Sequence, residues 1–108
     1  MNILLLGDIC GPSGRKAISE NLPNLIKKKK IDFVVLNGEN AGDAGVGITK
    51  KIFSEFLTLG ADVITTGNHV WDEKEAIEFI ALENRLLRPQ NLSKGSPGNG
   101  YGIFISKN

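Results

Sequence analysis

Three short runs of apolar or β-branched residues divide the first part of the chain, at residues 3–6, 33–36 and 63–66. Uninterrupted runs of this length are typical of strands in a parallel sheet, which is buried on both faces. The third run, Val63-Ile64-Thr65-Thr66, consists of β-branched residues, which favour strands. The pattern therefore predicts three parallel strands.

The segment after the first run has a helical period. Its apolar residues lie four, seven and eight positions apart on one face of a helix, at Ile18, Leu22, Leu25 and Ile26. We expect a turn at residues 11–14 before this helix and a kink or break at Pro23, which lacks a backbone donor. Lysines 27–30 should end the helix, because cations are favourable at a helix C-terminus.

Two further helices are predicted from their capping residues. Thr49 is a suitable N-cap for a helix that ends at Gly60. Its predicted buried residues are Ile52, Phe53, Phe56 and Leu57. Asp72 and Glu75 have the spacing of a capping box for a third helix.

The alternation of strands and helices predicts an α/β fold of βαβ units, with a mostly parallel sheet of four or five strands. Helices should cover both faces of this sheet. Weaker patterns predict a short strand at residues 86–87 and a last strand at residues 103–105. Ligands of such sheets bind beyond the carboxyl ends of the strands.

Groups able to bind a metal follow each of the three predicted strands: Asp8 after the first, Glu39 and Asn40 after the second, and Asn68 and His69 after the third. Parallel strands would bring these residues to one edge of the sheet. Oxygen donors with some nitrogen suit manganese, iron or magnesium, and a pair of such ions can activate a phosphate ester. Glu39 could then bridge the two ions, and His69 could protonate the leaving oxygen. Alone, each residue is more often a turn former, a cap or a surface histidine, so the pattern by itself indicates a metal or phosphate cleft.

Composition adds few constraints. A chain of 108 residues with 41% hydrophobic and 23% charged residues is expected to form a single globular domain, residues 1–108. The net charge of +1 gives no electrostatic reason to expect nucleic acid or a membrane as a partner. Cys10 is the one cysteine, so the chain has no internal disulfide. No segment approaches the roughly 20 apolar residues of a membrane helix, and a cytoplasmic location is expected.

Four motifs together resemble one family. Gly-Asn-His at residues 67–69 is similar to the signature of calcineurin-like metallophosphoesterases. With the motifs at residues 7–11, 37–41 and 88–91, the chain resembles the YmdB-like branch of that superfamily. The resemblance implies the N-terminal half of a four-layer sandwich. It also implies a phosphodiesterase with two divalent metal ions, iron or manganese, whose substrates include 2′,3′-cyclic nucleotides.

The resemblance also implies roles for the site residues. Asp8 and Asn40 would bind the first metal, Glu39 would bridge both ions, Asn68 would bind the second, and His69 would act near the substrate. Cys10 stands where the wider superfamily has a histidine, and we expect it to be a small buried residue. The family's other metal ligands are histidines of the C-terminal half, whereas His69 is the only histidine here.

The chain is therefore expected to be a truncated metallophosphoesterase domain. Weak metal binding and little activity are predicted for these 108 residues alone. An uncovered sheet edge and apolar surface should favour association, including homo-oligomers. The alternatives are a nucleotide- or anion-binding module without chemistry and an association module derived from such an enzyme.

Overall fold

The structure is a computed structural model that describes residues 1–106. Strands and helices alternate along it. The elements in chain order are β1 (Ile3–Leu6), α1 (Gly11–Lys29), β2 (Phe33–Asn37), α2 (Lys50–Leu59), β3 (Val63–Thr65), α3 (Glu75–Phe79), a 3₁₀ turn (Ile80–Leu82) and β4 (Leu86–Leu87). The strands form one parallel sheet in the order β1-β2-β3-β4. The predicted α/β class with a parallel sheet and flanking helices is confirmed.

Helix α1 differs from its prediction at two places. It begins at Gly11, so the predicted turn at residues 11–14 is the first turn of the helix, with Pro12 in a position that needs no backbone donor. It also continues through Pro23, which is exposed, so water can bind the carbonyl that loses its partner there. The helix ends as predicted, with basic residues in its last turn and Lys30 in a left-handed conformation. Within residues 1–106, no helix has both the length and the apolar character needed to cross a bilayer.

Helix α2 has the predicted ends, and α3 does not. Thr49 accepts a hydrogen bond from the backbone of Ile52 at 3.2 Å, and Gly60 ends α2 with a φ of 116°. The capping box of Asp72 and Glu75 is wrong, because each carboxylate has another partner. Glu75 accepts from the backbone of Lys50 at the start of α2, and Asp72 contacts His69.

The helices pack against one face of the sheet. Val34, Leu36 and Ile64 point to this face and are buried in a single core with α1, α2 and α3. The opposite face is open at β1, where Ile3 and Leu5 are 55% and 72% exposed. The expectation that helices cover both faces is therefore wrong for the part of the chain that the structure describes.

The segment after β4 lies partly against this open face. The ring of Phe104 packs against Phe33 of β2, with 6.3 Å between the ring centroids. Ile103 and Ile105 point away and are 97% and 94% exposed. The predicted last strand at residues 103–105 is wrong, because this segment forms no strand. Ile3 and Leu5 on the open face, together with Ile103 and Ile105, therefore have no apolar cover.

Candidate metal centre

Asp8, two residues after the end of β1, has an unusual backbone conformation. Its φ of 51° lies in the left-handed region, which costs a residue other than glycine on the order of 1–3 kcal/mol. The conformation turns the chain from the strand into α1. It also lets the Asp8 Oδ1 accept a hydrogen bond of 3.1 Å from Nδ2 of Asn40, in the loop after β2. Residues in unusual backbone conformations are concentrated at functional sites.

Asn40 has a polar atom without a partner. Its side-chain Oδ1 is buried, and no donor lies within hydrogen-bonding distance. A buried oxygen of this kind is costly unless something other than a protein donor satisfies it. A divalent cation uses amide oxygens as ligands. The orphaned oxygen belongs to the amide whose nitrogen bonds Asp8, and it has the chemistry of a cation ligand.

Glu39 connects the ends of β2 and β3. Its Oε2 accepts a hydrogen bond of 3.1 Å from the backbone N–H of His69. The carboxylate also lies directly on Gly67, where an added Cβ would collide with both of its oxygens. A larger residue at position 67 would displace the Glu39 carboxylate and break its hydrogen bond to His69.

His69 is oriented by an acidic partner. Its Nδ1 lies 2.7 Å from Oδ2 of Asp72, and the two side chains are 37% and 41% exposed. An ionised carboxylate only accepts hydrogen bonds, so Nδ1 carries the proton and Nε2 is the ring nitrogen left for another partner. This arrangement fixes the ring of an exposed histidine beside the strand ends.

The five predicted site residues all follow the ends of neighbouring strands, and we call them the strand-end site: Asp8, Glu39, Asn40, Asn68 and His69. Asp8 contacts Asn40, Asn40 follows Glu39 in the chain, and Glu39 contacts the backbone of His69. Asn68 is exposed and lies between Gly67 and His69, which both contact Glu39.

Cys10 does not have the environment that was predicted. It is exposed at the N-cap of α1, with its thiol near the backbone of Gly45. Its expected burial is wrong, because the neighbouring Ile9, and not Cys10, is buried in the core at this turn.

The donor set at the strand ends is rich in amides. Within residues 1–106, no group of three or more histidine, cysteine, aspartate or glutamate side chains could hold a metal ion. The strand-end site has two carboxylates, Asp8 and Glu39, and its other oxygen donors are the amides of Asn40 and Asn68. Hard divalent cations accept such mixed oxygen ligands. The residues present therefore fit one side of a metal centre.

Two residues at this site were not predicted as part of it. Asp72 was taken for a helix cap, although its position three residues after His69 would have indicated a contact between the two. Arg15 donates from α1 to the loop that carries Glu39 and Asn40. Its two partners lie 26 and 28 residues away in the sequence. No local pattern indicates that contact.

Comparison with known proteins identifies the family. A model of the YmdB-like proteins matches residues 4–108. The chain belongs to the YmdB-like family. A relative from Bacillus subtilis strain 168, named 2′,3′-cyclic-nucleotide 2′-phosphodiesterase, is 46% identical over 100 residues, which are 93% of this chain.

Two solved structures share the YmdB-like fold of this chain. One is a hypothetical protein from Thermus thermophilus, with a TM-score of 0.86 and 31% identity over 97% of the chain. The other, described as a novel phosphatase from Mycoplasma pneumoniae, has a TM-score of 0.87 and 33% identity over 95% of the chain. The chain spans 38% of the length of the Bacillus relative, and 40% and 38% of the two structures.

Proposed function

We propose that this chain contributes one side of the active site of a metal-dependent phosphoesterase that hydrolyses phosphodiesters such as 2′,3′-cyclic nucleotides. The observation that carries the proposal is the contact between strand ends: Glu39 against Gly67 and His69, and Asp8 against Asn40. The name of the Bacillus relative supports the substrate class.

Two divalent ions, iron or manganese, would be held by four side chains of this site. Asp8 and Asn40 would bind one ion, Asn68 would bind the other, and Glu39 would contact both. When bound, such a pair supplies Lewis-acid activation of a phosphate ester. The unpaired Oδ1 of Asn40 supports this assignment, because a cation would satisfy it.

His69 would transfer a proton to the leaving oxygen of the substrate. The hydrogen bond to Asp72 holds the ring in one orientation. Because Nδ1 is engaged, Nε2 is the atom that would face the substrate. Asp72 is then a positioning residue.

The chain by itself supplies only part of such a site. We propose that residues 1–108 are a single metallophosphoesterase domain in truncated form, with weak metal affinity and little turnover when isolated. One imidazole and two carboxylates leave each ion with few protein ligands. A cytoplasmic location remains a prediction.

The test is a titration of the chain with Mn²⁺ and a 2′,3′-cyclic nucleotide, monitored by calorimetry. We expect weak Mn²⁺ binding and nucleotide binding that requires Mn²⁺. A submicromolar Mn²⁺ affinity would contradict the expected incompleteness of the site. Equal nucleotide binding in a chelator would instead favour the metal-free nucleotide- or anion-binding module.

The open sheet face supports a second proposal, association between copies of the chain. Ile3, Leu5 and Ile103 are large apolar side chains that are more than half exposed, at 55%, 72% and 97%. Exposed apolar surface of this kind mediates protein–protein contacts. Sedimentation velocity over a range of concentrations measures this directly.

A further inference from the structure

The loop after β2 is held at three consecutive carbonyl groups. The backbone N–H of Gly47 donates to the carbonyl of Glu39, and the N–H of Gly11, in the first turn of α1, donates to the carbonyl of Asn40 at 2.9 Å. The next carbonyl, that of Ala41, accepts from the side chain of Arg15 at 2.5 Å. Two of these three contacts are made by the backbone, and Arg15 makes the third.

Arg15 is suited to this contact by its shape. Its second guanidinium nitrogen donates to Oδ1 of Asp43 at 2.7 Å, so one planar group joins α1 to two points of the same loop. The Arg15 side chain is only 22% exposed, whereas that of Asp43 is 85% exposed. The contact with the Ala41 carbonyl is thus the better shielded one, and exposed ion pairs contribute little.

We propose that Arg15 is a positioning residue for the metal ligands of this loop. This inference rests on the function proposed above. Arg15 fixes the backbone at residues 39–41, and so directs Asn40 toward Asp8 and Glu39 toward Gly67. Its guanidinium bonds the carbonyl of Ala41, directly after Asn40, and contacts no proposed ligand side chain. Its effect on a metal ion passes through the loop.

Electrostatics and positioning predict opposite effects on metal affinity, which makes the proposal testable. Removing a positive charge near a cation site should strengthen cation binding. Losing the support of a ligand should weaken it, by about tenfold for a typical supporting group. Arg15→Gln removes both the charge and the contact with the loop. Lys16→Gln is the control for charge alone, because Lys16 is the next residue of α1 and its ion pair with Glu20 is long and exposed.

The experiment measures Mn²⁺ affinity and amide hydrogen exchange of the 108-residue chain and its variants. Arg15→Gln should bind Mn²⁺ about tenfold more weakly and should speed exchange at the N–H groups of Gly11 and Gly47. Exchange at Ile52, whose N–H binds the Thr49 cap, should not change. In the Lys16→Gln variant the exchange rates should be unchanged, and the Mn²⁺ affinity should be unchanged or slightly higher.

Two further variants keep the proposal open to contradiction. Asp43→Asn removes the exposed ion pair and keeps the Ala41 contact, so it should behave as wild type. If Arg15→Gln does not fold, Arg15→Lys should show a smaller change in the same direction.

The outcomes separate the two proposals. Unchanged exchange at Gly11 and Gly47 in a folded Arg15→Gln variant, or tighter Mn²⁺ binding, would overturn the role of Arg15. An absence of Mn²⁺ binding by the wild-type chain would contradict the proposed metal centre, and the exchange rates would still decide whether Arg15 holds the loop.

Discussion

The side-chain amide of Asn40 faces Asp8 with its nitrogen and keeps its oxygen buried without a donor. Nδ2 donates to Oδ1 of Asp8 at 3.1 Å, and Oδ1 of Asn40 has no partner. Native proteins satisfy nearly all buried polar atoms, and a cation or an ordered water molecule would satisfy this oxygen.

Replacing Asn40 should weaken metal binding and leave the free energy of unfolding nearly unchanged. Asn40→Ala removes a proposed ligand, so we expect Mn²⁺ affinity to fall by at least about tenfold. The free energy of unfolding should change by less than about 1 kcal/mol, because an unsatisfied oxygen is lost together with one hydrogen bond. Calorimetric titration and thermal unfolding measure the two effects. Asn21→Ala is the matched control, since Asn21 is exposed on α1 and bonds only its own helix. Equal affinities in the two variants would remove Asn40 from the metal site.

Glycine at position 67 leaves room for the Glu39 carboxylate. Gly67→Ala would place a methyl group on the carboxylate of Glu39, which must then move and give up its hydrogen bond to the N–H of His69. We therefore expect a loss of about 1 kcal/mol in the free energy of unfolding and weaker Mn²⁺ binding. Gly7→Ala is the control, because an added Cβ at Gly7 meets no atom within 4 Å. Denaturant unfolding of the two variants gives the comparison. A Gly67→Ala variant as stable as Gly7→Ala would mean that Glu39 does not occupy the space beside β3.

Asn68 and His69 should differ in their effects although they are adjacent. Asn68→Ala is expected to lower Mn²⁺ affinity, because the side chain is a proposed ligand. His69→Ala should leave the affinity unchanged and slow turnover wherever the complete site hydrolyses a cyclic nucleotide, because His69 is proposed to transfer a proton. Metal titration of the two variants tests the first part, and steady-state kinetics of the complete enzyme tests the second. The same loss of metal in both would contradict the role assigned to His69.

The open face of the sheet should control association. Leu5→Lys places a charge on that face and should shift the sedimentation of the chain toward the monomer. Leu82→Lys changes a leucine that is more exposed, at 85% against 72% for Leu5, and lies outside the sheet. If Leu82→Lys dissociates the chain as well as Leu5→Lys does, the sheet face is not the contact surface.

Features set by neighbouring residues could be predicted from the sequence. The bounds of β1, the Thr49 cap of α2 and the end of that helix at Gly60 agree with the structure, because each depends on residues close in the chain. Two contacts at the strand ends, Asn40 with Asp8 and Glu39 with the backbone of His69, agree with the expectation that the carboxyl ends of neighbouring parallel strands share one edge. The metal-binding roles of these residues stay predictions.

Several features that depend on particular distant partners were predicted wrongly or not at all. The capping box of Asp72 and Glu75 fails because Glu75 accepts from Lys50, a partner in another helix. The last strand fails because a strand needs a neighbour, and the segment at residues 103–105 has none in the described chain. Arg15 was not predicted because its acceptor in the β2 loop becomes close only after folding.

The central claim is that three strand ends share one cation site, and nuclear magnetic resonance with a trace of Mn²⁺ tests it most directly. The paramagnetic ion broadens the signals of nuclei near it. We predict joint broadening at Asp8, Glu39, Asn40 and Asn68, reduced in the Asn40→Ala variant. The carboxylates of Glu55, Glu73 and Glu75 line a separate surface pocket at the start of α2. Broadening centred on them, with the strand ends unaffected, would contradict the account.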